Sequence, residues 1–127
     1  MKANELMIGD WVYDAILKCN TQVEMLSLSG IRGDCHDNIW VEKTFEPIPL
    51  TPKILEKNDW YCHNSYGKWE HNRDYFDLEQ YGGGEFSVEV AAHEEGYATF
   101  CYIKYVHELQ HLLRLCGAWE IADNFKV

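Results

Sequence analysis

The stretch Ile103–Gly117 constrains the fold most, because it is the longest segment with helical periodicity and an alternating segment runs straight into it. At roughly 100° per residue, Tyr102, Tyr105, Val106, Leu109, Leu112, Leu113 and Cys116 share an arc of about 120°. That arc is the expected core stripe, and Gly117 is the expected left-handed cap. His107, His111, Arg114 and Ala118 fall on the opposite side, which reads as a polar face turned to solvent. Upstream, Glu85–Ala91 alternates, with Phe86, Val88 and Val90 predicted inward and Ser87 and Glu89 outward. His93–Gly96 then makes a turn and Tyr97–Ile103 returns, so the pattern predicts a β-hairpin over 85–103 feeding a helix.

The rest of the chain reads as short strands with one further helix. Gly9-Asp10 forms a turn into a strand at Trp11–Ile16, Thr21–Ser27 alternates, and Asn38–Glu42 follows a loop punctuated by Gly30, Gly33 and Asp34. Such spacing resembles an SH3-like small barrel, an analogy of fold that carries no function. Pro47 and Pro49 end this sheet, since proline donates nothing to a ladder. Thr51-Pro52 is a helix start, with threonine as N-cap and proline at the first helical position, and the helix closes at Asn58-Asp59. Residues 60–84 predict one or two strands and a turn at Gly82-Gly83-Gly84, with most of their aromatic side chains in the core. The tail from Ala118 predicts a short strand or loose packing, too short for a second packed helix.

The chain has 127 residues, of which 46% are hydrophobic and 14% aromatic, so it has the material for a core without metal or disulfide staples. The expectation is a single α+β domain: a barrel-like β lobe over 1–46, then helix, β-hairpin and C-terminal helix over 47–127. Acidic residues outnumber basic ones by 21 to 11, a formal net charge of −10. That field repels phosphate backbones and anionic lipid, which argues against nucleic acid and membrane and for a partner that is protein and basic. The opening Met1–Met7 is broken by Glu5 and lacks the apolar run of an export signal. The five cysteines, Cys19, Cys35, Cys62, Cys101 and Cys116, are odd in number and scattered, so they read as reduced thiols of a cytoplasmic protein.

His107-Glu108-Leu109-Gln110-His111 is the only motif with a chemistry attached. H-E-x-x-H on a helix places two imidazoles on one face to hold zinc, with the glutamate as general base. A minimal zinc hydrolase, with His107 and His111 as ligands and Glu108 as catalytic base, is therefore the alternative function. Its third ligand is missing from the pattern, because Arg114 and Gly117 stand where an extended motif has Gly and His. Glu120 and Asp123 downstream, or His36, His63, His71 and His93 upstream, have no spacing that singles one out. Arg114 also puts positive charge beside the place of the cation. Cys35-His36 and Cys62-His63 are adjacent pairs, poorly spaced to chelate. Arg32-Gly33-Asp34 is a glycine turn. The leading expectation is no catalytic residue, no cofactor and no metal.

Three segments, Lys2–Val12, Phe45–Leu55 and Tyr105–Gly117, resemble a group of small uncharacterised proteins from Bacteroides-type gut bacteria, their phages and mobile elements. The resemblance covers about a third of the residues and brings no function with it. Its members typically read Val-His-Gln-Leu-Gln-Asn where this chain has Val106–His111, so Glu108 and His111 are the departures. The resemblance implies that His107 belongs to a structural helix motif. Together these readings predict a non-enzymatic protein-interaction module of a phage or mobile element, using an acidic or aromatic surface.

Overall fold

The computed structural model describes residues 5–23, 45–63, 67–73, 75–92 and 96–127. The chain is α+β: its described residues form two antiparallel sheets and short helices. It divides into two compact units. The first is built from residues 1–48 and 105–125, with Val127, and the second from 49–104, with Lys126. The C-terminal helix thus belongs with the N-terminal strands, whereas its sequence neighbourhood had grouped it with the hairpin.

In the first unit, β1 (Trp11–Asp14), β2 (Cys19–Gln22) and β3 (Phe45–Pro47) form a sheet of order β2-β1-β3. The strand expected to reach Ile16 stops at Asp14 because its carboxylate accepts hydrogen bonds from the Ile16 and Leu17 amides, 2.8 and 2.9 Å, and so closes a tight turn. Pro47 sits inside the sheet opposite Val12, at the last position of a strand that ends the sheet order, a place where proline is tolerated. Leu6, Val12 and Val23 are buried together, with Phe45 packed against them. The strand expected at Asn38–Glu42, the loop before it, Cys35-His36 and the Arg32-Gly33-Asp34 turn lie outside the described residues, as does most of Thr21–Ser27.

The same unit contains the long helix α2 (Val106–Leu115) and a shorter α3 (Trp119–Asp123). Gly117 adopts a positive φ of 79° between them, as a helix end requires. The tail is therefore helical rather than a strand, and it packs: Ala122 and Phe125 are buried. The Phe125 carbonyl accepts the Trp11 indole N–H at 2.6 Å.

In the second unit, α1 (Pro52–Lys57) starts and stops where its sequence signals stand. The Thr51 hydroxyl accepts from the Ile54 amide at 3.3 Å, Pro52 opens the helix, and Asn58 ends it. Asn58 then makes two 2.7 Å bonds with the Lys126 backbone. The sheet runs β4 (Trp60–Cys62), β5 (Lys68–His71), β6 (Asp77–Gln80), β7 (Phe86–Ala92), β8 (Gly96–Ile103), in that order and antiparallel throughout. Residues 60–84 thus hold three strands, one more than their irregular pattern predicts, and Gly82–Gly84 is a 3-10 turn with Gly83 and Gly84 at φ 78°. The hairpin of β7 and β8 stands as expected; its turn, with His93, lies outside the described residues. One face of this sheet is apolar: Trp60, Trp69, Leu78, Val88, Phe86 and Ile103 alternate onto it and are buried, with Phe76 beside Trp60.

Candidate functional site

Two side-chain assemblies compete for a functional role. The first surrounds the His-Glu-x-x-His segment. The buried arc of α2 is Val106, His107, Leu109, Gln110, Leu113 and Arg114, rotated away from the expected stripe. Leu112 is only half-buried and Cys116 is exposed, while the face read as solvent-facing is largely inside. The cause is a polar partner that periodicity does not register, the turn Met7–Asp10.

Asp10 is fully buried at the centre of that partner. Its Oδ2 accepts from the Met7 amide at 2.7 Å and lies 2.7 Å from His111 Nε2. Its Oδ1 accepts from Arg114 Nη1 at 2.6 Å. Arg114 Nη2 reaches the Ile8 carbonyl at 3.1 Å and the Asp123 carboxylate at 3.4 Å. Gln110, equally buried, donates to the Gly9 and Ala122 carbonyls at 2.8 and 2.9 Å and accepts from the Trp11 amide at 2.9 Å. Glycine is favoured at position 9: its φ of +88° is strained for a residue with a Cβ, which would also meet Arg114 Nη2 at 2.9 Å. Asp10 and Arg114 each face an opposite charge and further hydrogen bonds, the condition under which burial is tolerated, although Arg114 Nε has no partner among the described residues.

This arrangement places the predicted metal residues as follows. His107 and His111 do share a face, with ring centroids 5.7 Å apart. His111 is turned onto Asp10. His107 is buried, stacks on Tyr105 and presents Nδ1 with no hydrogen-bond partner among the described residues. Burial lowers the His107 pKa below 6.5, against the raising fields of Glu108 and Asp10, with the neighbouring His111 lowering it further. Glu108, the predicted base, caps its own helix: its carboxylate accepts from the Tyr105 amide at 3.0 Å. Arg114 shares the Asp10 carboxylate with His111, which brings the positive charge of a guanidinium to the group that His111 is turned onto. Among the described residues, no three His, Cys, Asp or Glu side chains are grouped to hold a metal ion. The chemistry available is that of a clamp between a turn and a helix.

The second assembly is the other face of the five-stranded sheet. Strand register puts Tyr61, Glu70, Lys68, Glu79, Asp77, Ser87, Glu89, Thr99, Tyr97 and Tyr102 on it. The alternation predicts Ser87 and Glu89 at the surface, yet both are buried, because they form the floor of this polar face. Glu89 Oε1 accepts from Ser87 Oγ at 2.9 Å and from Thr99 Oγ1 at 2.8 Å. Asp77, also buried, lies 3.4 Å from Lys68 Nζ. That ammonium stands 3.8 Å above the centre of the Tyr97 ring, a cation–π seat. Desolvation alone would lower the Lys68 pKa; the bond to Asp77 and the fields of Asp77, Tyr97 and Glu70 outweigh it and leave it raised. Around this floor Tyr61, Tyr97 and Tyr102 are exposed, and Tyr81 meets Tyr102 edge-on at 5.8 Å. Tyr61 also donates to Glu70 at 3.3 Å.

Sequence reasoning missed this face as a unit. Its residues come from five strands, three of them in the stretch whose pattern is least regular. Only the alternation in Glu85–Ala91 and the aromatic density of 60–81 pointed toward it. No helix among the described residues is long and apolar enough to cross a membrane. No protein-family model, curated protein or solved structure matches this chain.

Proposed function

We propose that this chain is a non-enzymatic protein-interaction module of a phage or mobile element, and that the tyrosine-and-carboxylate face of its five-stranded sheet engages a basic protein partner. The carrying observation is that face itself: among the described strand residues, Glu70, Asp77, Glu79 and Glu89 are set against the ammonium of Lys68, with exposed tyrosines around them. Tyrosine offers large, stiff contact area with a polar tip, which suits it to recognition surfaces. The net charge of −10 steers a basic partner toward the chain from a distance. The mobile-element origin draws its support from the three resembling segments.

Against the alternative, a zinc hydrolase built on His107, His111 and Glu108, stands the engagement of those side chains with Asp10, the helix interior and the Tyr105 amide. The test is fluorescence-anisotropy titration with a lysine- and arginine-rich peptide beside an aspartate- and glutamate-rich one. The basic peptide should bind, its affinity should fall with added NaCl, and Glu79→Gln should weaken it by about threefold, the scale of one exposed charge pair. Equal binding of both peptides would sink the proposal, and so would tighter binding of duplex DNA.

A further inference from the structure

The polar face ends at β8, and β8 has the properties of a strand with room for a neighbour. Among the described residues no strand pairs with its outer side, since the sheet order terminates there. All five residues Gly96–Phe100 are exposed. The segment Gly96–Ile103 contains no Lys, no Pro and no charge, the devices by which edge strands usually repel pairing. One device is present: Val88 pairs with Cys101 but Glu89 with Thr99, so Phe100 is the extra residue of a bulge. That bulge interrupts the edge in its second half and leaves Gly96–Thr99 as the straight run.

Along that run Tyr97 and Thr99 turn to the polar face, while Gly96 and Ala98 lie on the other. The Tyr97 ring already seats an ammonium, that of Lys68, beside the buried Asp77. We propose that the basic partner docks in extended form, adding a sixth strand beside Gly96–Thr99 with its cationic side chains at alternate positions over the tyrosine face. This rests on the basic-partner reading above and specifies how that partner binds: main-chain bonds along β8 supply register, and the period-two cations supply specificity. A second copy of the chain is the poorer occupant, because it would bring a net charge of −10 against another of −10.

The test uses two peptides of one composition, an alternating Lys-Val heptapeptide and its block isomer with the lysines together, added to the full chain labelled with nitrogen-15. The alternating peptide should bind more tightly and slow amide exchange at every second residue of Gly96–Thr99 by about tenfold or more. Tyr97→Thr, which keeps strand propensity, should weaken it by about fivefold. Equal affinity for the two isomers, with no protection along β8, would overturn strand addition and leave the basic-partner reading standing. If neither peptide binds, both readings fall. Protection of β8 without peptide, in a chain that sediments as a dimer, would assign the edge to a second copy and overturn the proposal.

Discussion

Asp10 and Arg114 sit on opposite ends of the sequence and share one buried ion pair, with both side chains almost wholly removed from water. Such a pair adds little over a well-packed apolar substitute, but breaking it from one side strands a charge in the interior. Arg114→Met should therefore cost about 3–5 kcal/mol of unfolding free energy, read from urea denaturation, with the Ile8 carbonyl losing a donor as well. His107 makes a second prediction. Burial holds its folded pKa below 6.5, and His71 is shifted the same way by the same cause. In the window below pH 6.5 the unfolded chain takes up protons that the folded chain does not, so stability is full above that pH and declines as pH falls toward the depressed folded values. Urea midpoints at about pH 7.5 and about pH 5.5 should differ in that direction, and His107→Gln should reduce the difference.

At the scale of elements, Glu108 separates a structural from a catalytic reading of α2. As a helix cap at its third position it can be replaced by Gln, which reaches the same amide, but not by Ala. Glu108→Ala should cost about 1 kcal/mol and Glu108→Gln much less, measured by thermal melts of the two variants side by side. Local signals were legible wherever the chain talks to itself over a few residues. Thr51-Pro52 placed α1, Gly117 ended α2, and the alternation of 85–103 placed the hairpin. What was not legible depends on contacts remote in sequence. Periodicity counts apolar residues, so it assigned Leu112 and Cys116 to the core and His107 and Arg114 to water. It carried no information that a carboxylate about a hundred residues upstream would draw the polar side of the helix inward. The same blindness blurred the stretch of β4, β5 and β6 into one or two strands, because polar residues such as Asp77 and Glu70 answer to neighbouring strands rather than to their own.

At the scale of the molecule, the question is whether the clamp around Asp10 also binds metal. Elemental analysis of tag-free protein after dialysis against a weak chelator should find no stoichiometric zinc, and His111→Asn should leave that result unchanged. One zinc per chain that vanishes in the variant would put the hydrolase, the alternative reading, in front. The α+β class was readable from the sequence; the partition into units was not, because residues 105–125 join the strands at the other end of the chain.

That partition sets an order of events during synthesis. Residues 49–104 are contiguous, so the five-stranded sheet has all of its strands once Ile103 has been made. The N-terminal strands must wait: Gln110 supplies the bonds for Gly9 and Trp11, and Phe125 supplies the acceptor for the Trp11 indole. A chain still growing on the ribosome thus carries Asp10 without its His111 and Arg114 partners until residues 111–114 emerge. Premature termination anywhere after Lys104 would release a complete sheet tethered to an unfinished partner, a ready target for proteolysis.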